Sequence, residues 1–145
     1  LSHYGVVHGQ EERRVAKNYV EIMNIKAKHI EQKVATLSGG NQQKVVVSKC
    51  LHAGSNILLM DEPTRGVDVG AKEEIHRIIR HLAEEGKSIL IFSSEYPEII
   101  NLCDRIYLLW DGEIVKEVKN QEADPEEILH IITRGKRTYY ENHTE

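Results

Sequence analysis

The run Leu37-Ser38-Gly39-Gly40-Asn41-Gln42-Gln43-Lys44 and, after a helical stretch to His52, the run Asn56-Ile57-Leu58-Leu59-Met60-Asp61-Glu62-Pro63-Thr64-Arg65-Gly66-Val67-Asp68 decide how this chain folds. The first run is a small-residue turn opening a helix. Ser38, Gly39 and Gly40 carry little or no side chain, so their backbone N–H groups can approach an anion. The helix adds unpaired N–H donors and the positive end of its dipole. The same turn can equally be a plain helix start with Ser38 as the N-cap. In the second run, Ile57 to Met60 is apolar without alternation, the pattern of a strand covered on both faces in a parallel sheet. Ligands of such sheets lie beyond the carboxyl ends of the strands, where Asp61 and Glu62 fall. Successive side chains diverge, so one carboxylate can hold Mg²⁺ while the other orients or deprotonates a water. A solvated acidic pair at a strand end is the alternative.

Taken together, the two runs resemble the ATPase subunit of ABC transporters. Leu37 to Gln42 looks like the signature motif, Ile57 to Glu62 like the Walker B strand with its catalytic glutamate, and Asp68 like the D-loop aspartate. Ser38 to Lys44 together with Pro63 to Lys72 resembles the second nucleotide-binding domain of the tandem ATPases of monosaccharide importers (ribose, galactose, xylose and similar), over roughly residues 10–133. The resemblance implies an α/β fold: part of a P-loop NTPase domain, with a parallel sheet core, flanking helices and a C-terminal β-hairpin. It implies ATP and Mg²⁺ as ligands, with Asp61 on the metal, Glu62 catalytic, and Ser38, Gly39, Gly40, Asn41, Gln42 and Asp68 on the nucleotide side. The implied partners are a transmembrane permease subunit and a second nucleotide-binding domain. The implied location is cytoplasmic, against the inner face of the membrane through the permease.

Outward from these runs, Val15, Tyr19, Ile22 and Met23 recur at helical spacing between Gln10 and Asn24, which predicts an amphipathic helix. The expected partner for it is Val46, Val47, Cys50 and Leu51. Leu1 to Gly9 shows no pattern, and residues 25–36 read as a connecting loop. Ala71, Ile75, Ile78, Ile79 and Leu82 form one stripe of a second helix that Gly86 stops. Ser88 to Phe92 is another buried-type strand, so residues 57–92 form a βαβ unit. Gly86-Lys87-Ser88 imitates the end of a P-loop, but His81 stands where the leading glycine belongs, and the order is helix, turn, strand. Asp111-Gly112 marks a hairpin between Arg105–Trp110 and Glu113–Val118. Asp124, Pro125 and Glu127 spell a capping box for a last helix, whose buried side is expected from Ile128, Leu129, Ile131 and Ile132. The expected division is residues 1–36 as the end of a helical subdomain, 37–133 as the signature helix and C-terminal part of the ATPase core, and 134–145 as a frayed tail.

The chain has 145 residues, net charge −4 and pI near 6.1, which leaves no basic footprint for nucleic acid. No apolar run approaches the ~18 residues of a membrane span, and the first residues lack a signal-peptide pattern, so the sequence reads as a soluble cytosolic polypeptide. Cys50 and Cys103 are isolated and read as reduced core thiols. On that reading Asn142-His143-Thr144, although it fits a glycosylation sequon, carries no meaning.

One departure from the family and one missing motif frame the function. Ser94, in Ser93-Ser94-Glu95-Tyr96-Pro97-Glu98, stands where most ABC ATPases place a histidine that reaches the γ-phosphate. The resemblance makes it a catalytic position. A serine cannot do an imidazole's proton work, and its other role is N-cap of the helix that follows. The 145 residues contain no Gly-x-x-x-x-Gly-Lys-Ser/Thr, so the main cradle for β- and γ-phosphates is absent from them. Two functions follow. One is a portion of an energy-coupling ATPase for sugar import, which uses a P-loop from elsewhere. The other is a non-catalytic interaction module that keeps the fold and binds a partner ATPase or permease. A sheet lacking its neighbouring strands also predicts a homodimer or strand exchange.

Overall fold

The computed structural model describes residues 2–3 and 6–134, and the chain divides into two units, residues 1–92 and 93–145. In the first unit β1 (Ser2–His3) and β2 (Val6–Val7) pair antiparallel, Ser2 with Val7 and His3 with Val6, where the sequence shows no pattern. Two-residue strands are too short to display an alternation. Helix α1 (Gly9–Ile22) follows, with Glu11 and Glu12 in its first turn, where they suit the helix dipole. Its expected seat on α2 (Gly39–His52) is only partly realised. The Tyr19 and His52 rings meet edge to face at 5.8 Å, while Val46 and Cys50 are exposed and Ile22 stands 65% exposed. Cys50 is therefore not a core thiol: it lies off the α2 stripe Gly40, Lys44, Val47 and Ser48, which is the buried one.

Strand β3 (Ile57–Asp61), helix α3 (Val69–Glu84) and strand β4 (Ser88–Phe92) form the expected parallel unit, in register from Ile57 opposite Ser88 to Asp61 opposite Phe92. Hydrogen bonds pin the register at both ends. Ser88 N–H donates to the Asn56 carbonyl at 2.9 Å, and Glu62 N–H donates to the Phe92 carbonyl at 2.8 Å. Gly86, at φ +89°, ends the α3 turn, and Lys87 Nζ donates to the Ser55 carbonyl at 3.0 Å, which makes this lysine a strap between the strand starts. Ile75, Ile79 and Leu82 of α3 are buried with Leu58 and Met60 of β3. The expectation of cover on both faces is not met within this unit. Ile57 and Leu59 are 67% and 68% exposed, with Leu90 and Phe92 exposed beside them. Paired residues of a parallel sheet point to the same side. One layer packs on the Leu58 side, and an uninterrupted apolar run asks for a second that this unit does not contain.

Helices α2 and α3 are held together by a close approach and an ion pair. A Cβ built on Gly40 would stand 2.5 Å from the Ala71 Cβ, and one on Gly39 3.2 Å from the Gly66 carbonyl oxygen. These glycines therefore set the distance between the helix starts. Lys44, its side chain 3% exposed, donates through Nζ to Glu74 Oε2 at 2.6 Å and to the Asn24 carbonyl at 3.0 Å. One buried ammonium thus joins α2, α3 and the loop after α1.

In the second unit α4 (Tyr96–Leu102) precedes the hairpin of β5 (Arg105–Trp110) and β6 (Glu113–Lys119), and α5 (Pro125–Arg134) closes on it. Asp111 at φ +49° and Gly112 at φ +79° give the two-residue turn its twist, and the register shifts between Leu108 and Leu109. The core is Ile106, Leu108, Ile128 and Ile131, with Tyr96, Ile99, Ile100 and Cys103 against it. Leu129 and Ile132, expected inside, are exposed, because the stripe facing the hairpin is narrower than the four apolar positions suggest. Cys103 is half-buried, and burial, with help from Asp104 and Glu98, raises its thiol pKa. Asp124 Oδ1 accepts from Glu126 N–H, and Glu127 pairs with Lys116 of β6. The capping aspartate is confirmed. The tail beyond residue 134 and the Asn142-His143-Thr144 sequon lie outside the described residues. Among the described residues no helix is long and apolar enough to cross a membrane.

Helix propensity alone says Gly40→Ala should stabilise by about 1 kcal/mol. The contact with Ala71 reverses the sign. Chemical denaturation should show a loss of about 1–3 kcal/mol, and Gly40→Ala with Ala71→Gly should lose less than the two single changes added together. Glu74 is held below its usual carboxylate pKa by the hydrogen bond and charge of Lys44. A depressed pKa contributes stability that is present above the unfolded value, near ~4.3, and lost as pH falls through the folded one. Glu74→Gln should cost about 1–3 kcal/mol at pH 7, and the gap to the parent chain should close as acid titration passes below the carboxylate range.

Candidate nucleotide site

Gly39 is the first residue of α2, and Ser38 occupies the N-cap position with extended backbone. Its hydroxyl does not perform the capping that the plain reading assigns to it. Ser38 Oγ instead accepts from Asn41 Nδ2 at 2.7 Å, while Asn41 Oδ1 accepts the Lys26 backbone N–H at 2.8 Å. The first-turn N–H groups of α2 are thus left without a side-chain cap from Ser38, as an anion-binding turn requires. Gln42 turns the other way: its Nε2 donates to the Leu37 carbonyl at 2.8 Å and braces the turn from below.

A cleft of about 460 Å³ opens between the starts of α2 and α3, lined by Lys26, Ser38, Gly40, Asn41, Lys44, Asp68, Gly70, Ala71, Glu73, Glu74 and Arg77. Asp68 is the N-cap of α3, and its Oδ1 accepts from the Ala71 N–H at 2.9 Å. This structural role accounts for an aspartate here before any nucleotide is considered. The lining carries three cations (Lys26, Lys44, Arg77) and three carboxylates (Asp68, Glu73, Glu74), so charges balance. Attraction for a phosphate must come from directed donors rather than from net field.

Asp61 ends β3 at the carboxyl rim of the parallel pair and is exposed, as expected from the sequence. Glu62 follows with φ +46°, a left-handed conformation that costs an L-residue about 1–2 kcal/mol. Its N–H to Phe92 and its carbonyl, which accepts from Arg65 N–H at 3.1 Å, hold it there. Pro63 and Thr64 are buried next to it, and Gly66 at φ +73° completes the bend toward Asp68. The chain therefore leaves the strand direction at Glu62, directly after Asp61. Neither Asp61 nor Glu62 lines the Ser38 cleft, so the turn and the acidic pair lie at separate places on this unit. Ser94 lies in the second unit and is exposed; the N-cap of α4 is Glu95, with Ser93 Oγ accepting the Glu95 N–H at 3.0 Å. Ser94 therefore does not cap α4: the helix begins one residue later than expected, at Tyr96, and the side chain of Glu95 makes no capping hydrogen bond either.

The sequence reading passed over Lys44, Glu74 and Lys26. A signal for Lys44 was present: position 44 falls on the i, i+4, i+7, i+8 stripe with Gly40, Val47 and Ser48, where a lysine must find a counter-charge. Glu74 and Lys26 are known only once the helices pack.

Comparison with known proteins agrees with this geometry. The ABC transporter family model matches residues 6–65. The L-arabinose transport ATP-binding protein AraG of Geobacillus stearothermophilus is 48% identical over 92% of this chain and 26% of its own length. The D-allose import ATP-binding protein AlsA of Escherichia coli K12 is 46% identical over 85% of the chain and 24% of its own length. The chain thus spans about a quarter of the curated relatives it matches. Among solved structures, the dimeric post-hydrolysis state of the ATP-binding cassette MJ0796 bound to ADP and Pi superposes with TM-score 0.67 at 28% identity, covering 81% of this chain and 51% of that one. A nucleotide-free cassette from an ABC transporter shares the fold, with TM-score 0.71 at 23% identity, over 81% of this chain and 48% of its own. Over most of its length the chain is thus similar to the ATP-binding proteins of ABC transporters, and it matches about one half of a solved ATP-binding cassette.

Proposed function

We propose that the chain supplies the signature turn and the acidic strand end of an ATP-hydrolysing cassette that powers monosaccharide import through a membrane permease. The observation that carries this reading is the pair of separated half-sites on one parallel unit. An uncapped helix start faces one cleft, and Asp61 and Glu62 stand at a strand's carboxyl end outside it. Such a chain is useful when two cassettes meet head to tail, each ATP lying between one partner's P-loop and the other's Ser38 turn. In that assembly Asp61 would hold Mg²⁺, which would neutralise charge on the phosphates, Glu62 would orient and polarise the attacking water, and the Ser38 hydroxyl and first-turn N–H groups of α2 would close on the γ-phosphate. Gln42 and Asp68 shape the turn and the neighbouring helix start. Ser94 takes the position of the γ-phosphate contact. The exposed face of Ile57, Leu59, Leu90 and Phe92 is the surface on which the rest of the cassette packs. The dimeric solved cassette supports the arrangement, and the names of the sugar-import relatives support the substrate class. On this reading the protein works at the cytoplasmic face of the membrane, and residues 1–36 close the helical subdomain that meets the permease.

The second reading, an interaction module without turnover, is favoured by one observation: no P-loop pattern occurs within the 145 residues. Calorimetric titration of the 145-residue chain with MgATP separates the two. The cassette reading expects no binding at micromolar nucleotide from the chain by itself, and binding once a P-loop-bearing segment of the same ATPase is supplied. An interaction module expects no nucleotide heat in either mixture. In the complete ATPase, Glu62→Gln should lower kcat by about 10²–10⁴-fold, the range for losing a positioned base, with little change in KM for MgATP.

A further inference from the structure

We propose that Asn41 is a positioning residue that fixes the Ser38 hydroxyl as a hydrogen-bond donor. The inference rests on the reading of Ser38 as a phosphate contact, and it specifies how that contact is oriented. A backbone N–H can only donate, so the Lys26 amide at 2.8 Å compels the Asn41 side chain to present its oxygen there. The amide nitrogen then faces Ser38 Oγ at 2.7 Å, and an NH₂ group can only donate. Ser38 Oγ is therefore the acceptor, and its single hydrogen must point elsewhere, toward the solvent side on which this residue is exposed. Three groups on two elements, the Lys26 backbone, the Asn41 amide and the Ser38 hydroxyl, form a one-way series of donors ending at the mouth of the cleft.

The series answers a difficulty set by the cleft itself. Its charges cancel, so selectivity for a phosphate oxygen must reside in the direction of the donors. A serine hydroxyl left alone can donate or accept, and in front of a phosphate only one of those is useful. Asn41 removes the wrong choice in advance, at the cost of no net charge. It also couples the turn to the loop after α1. That loop is anchored a second time by the Asn24 carbonyl on buried Lys44, so the donor direction is set by a rigid frame.

Two measurements test this. In the 145-residue chain, amide hydrogen exchange at Lys26 should speed about tenfold in Asn41→Ala and stay within about twofold in Asn41→Asp, which keeps the acceptor oxygen. In the complete ATPase with its P-loop, Asn41→Asp replaces the NH₂ donor with an acceptor and draws the Ser38 hydrogen away from the phosphate. Its kcat should fall about tenfold, the loss expected for one hydrogen bond to a charged group. Ser38→Ala should fall similarly, and Asn41→Asp added to Ser38→Ala should cost less than about threefold more. Equal factors for Asn41→Asp in both backgrounds, or unchanged Lys26 exchange in Asn41→Ala, overturn the proposal. Should Ser38→Ala keep full turnover while Lys26 exchange responds as stated, the series exists but the phosphate reading of Ser38 fails, and the functional role of Asn41 fails with it.

Discussion

The distance between the starts of α2 and α3 is the constraint on which the first unit depends. Gly40 lets the helices approach until Ala71 fills the place a side chain would have taken, and Lys44 reaches Glu74 across the gap this leaves. With either lost, the Ser38 turn and the Asp68 cap would no longer bound the same cleft. A small-residue pair is commonly explained by the need to admit an anion to the backbone. Here the nearer cause is helix packing, and the access to backbone N–H groups follows from it. The two explanations are compatible because the same missing Cβ atoms serve both.

The buried lysine is the second half of that constraint. A charge so enclosed is costly unless paired and hydrogen-bonded, and Lys44 has both a carboxylate and a carbonyl. The lysine and its two partners come from three separate stretches, so the pair reports that the loop after α1, α2 and α3 are all in place at once. Asn24 is itself at φ +48°, a conformation asparagine tolerates better than most residues, which turns its carbonyl toward the ammonium.

Local patterns were legible from sequence where the determinant is local. The α3 stripe, the Asp111-Gly112 turn, the Asp124 cap and the strand at Ile57–Met60 all rest on spacing within a few residues, and the structure has each. The carboxyl-rim position of Asp61 followed from the strand alone. What failed to show needed a neighbour from elsewhere. The left-handed turn at Glu62 depends on Phe92, the hydroxyl direction at Ser38 on Lys26, and the reason for Gly40 on Ala71. Leu129 and Cys50 misled because apolar character says a residue can be buried, not that a partner surface is wide enough to bury it.

The exposed side of β3 shows the same logic from the opposite direction. A strand apolar at every position is matched to a sheet covered twice, yet alternation leaves Ile57 and Leu59 in the open while Leu58 and Met60 are sealed. Such a strand wins no stability from its outer half in this unit, and at about 25 cal/mol per Å² of apolar surface that half is a substantial unspent driving force for association. The acidic pair sits at the end of that same strand. Covering the outer face would therefore also restrain Asp61, which shares it with Ile57 and Leu59, and the αL bend at Glu62 that follows. Completion of the sheet and ordering of the strand end are in this way one event, driven by apolar burial and read out in the position of two carboxylates.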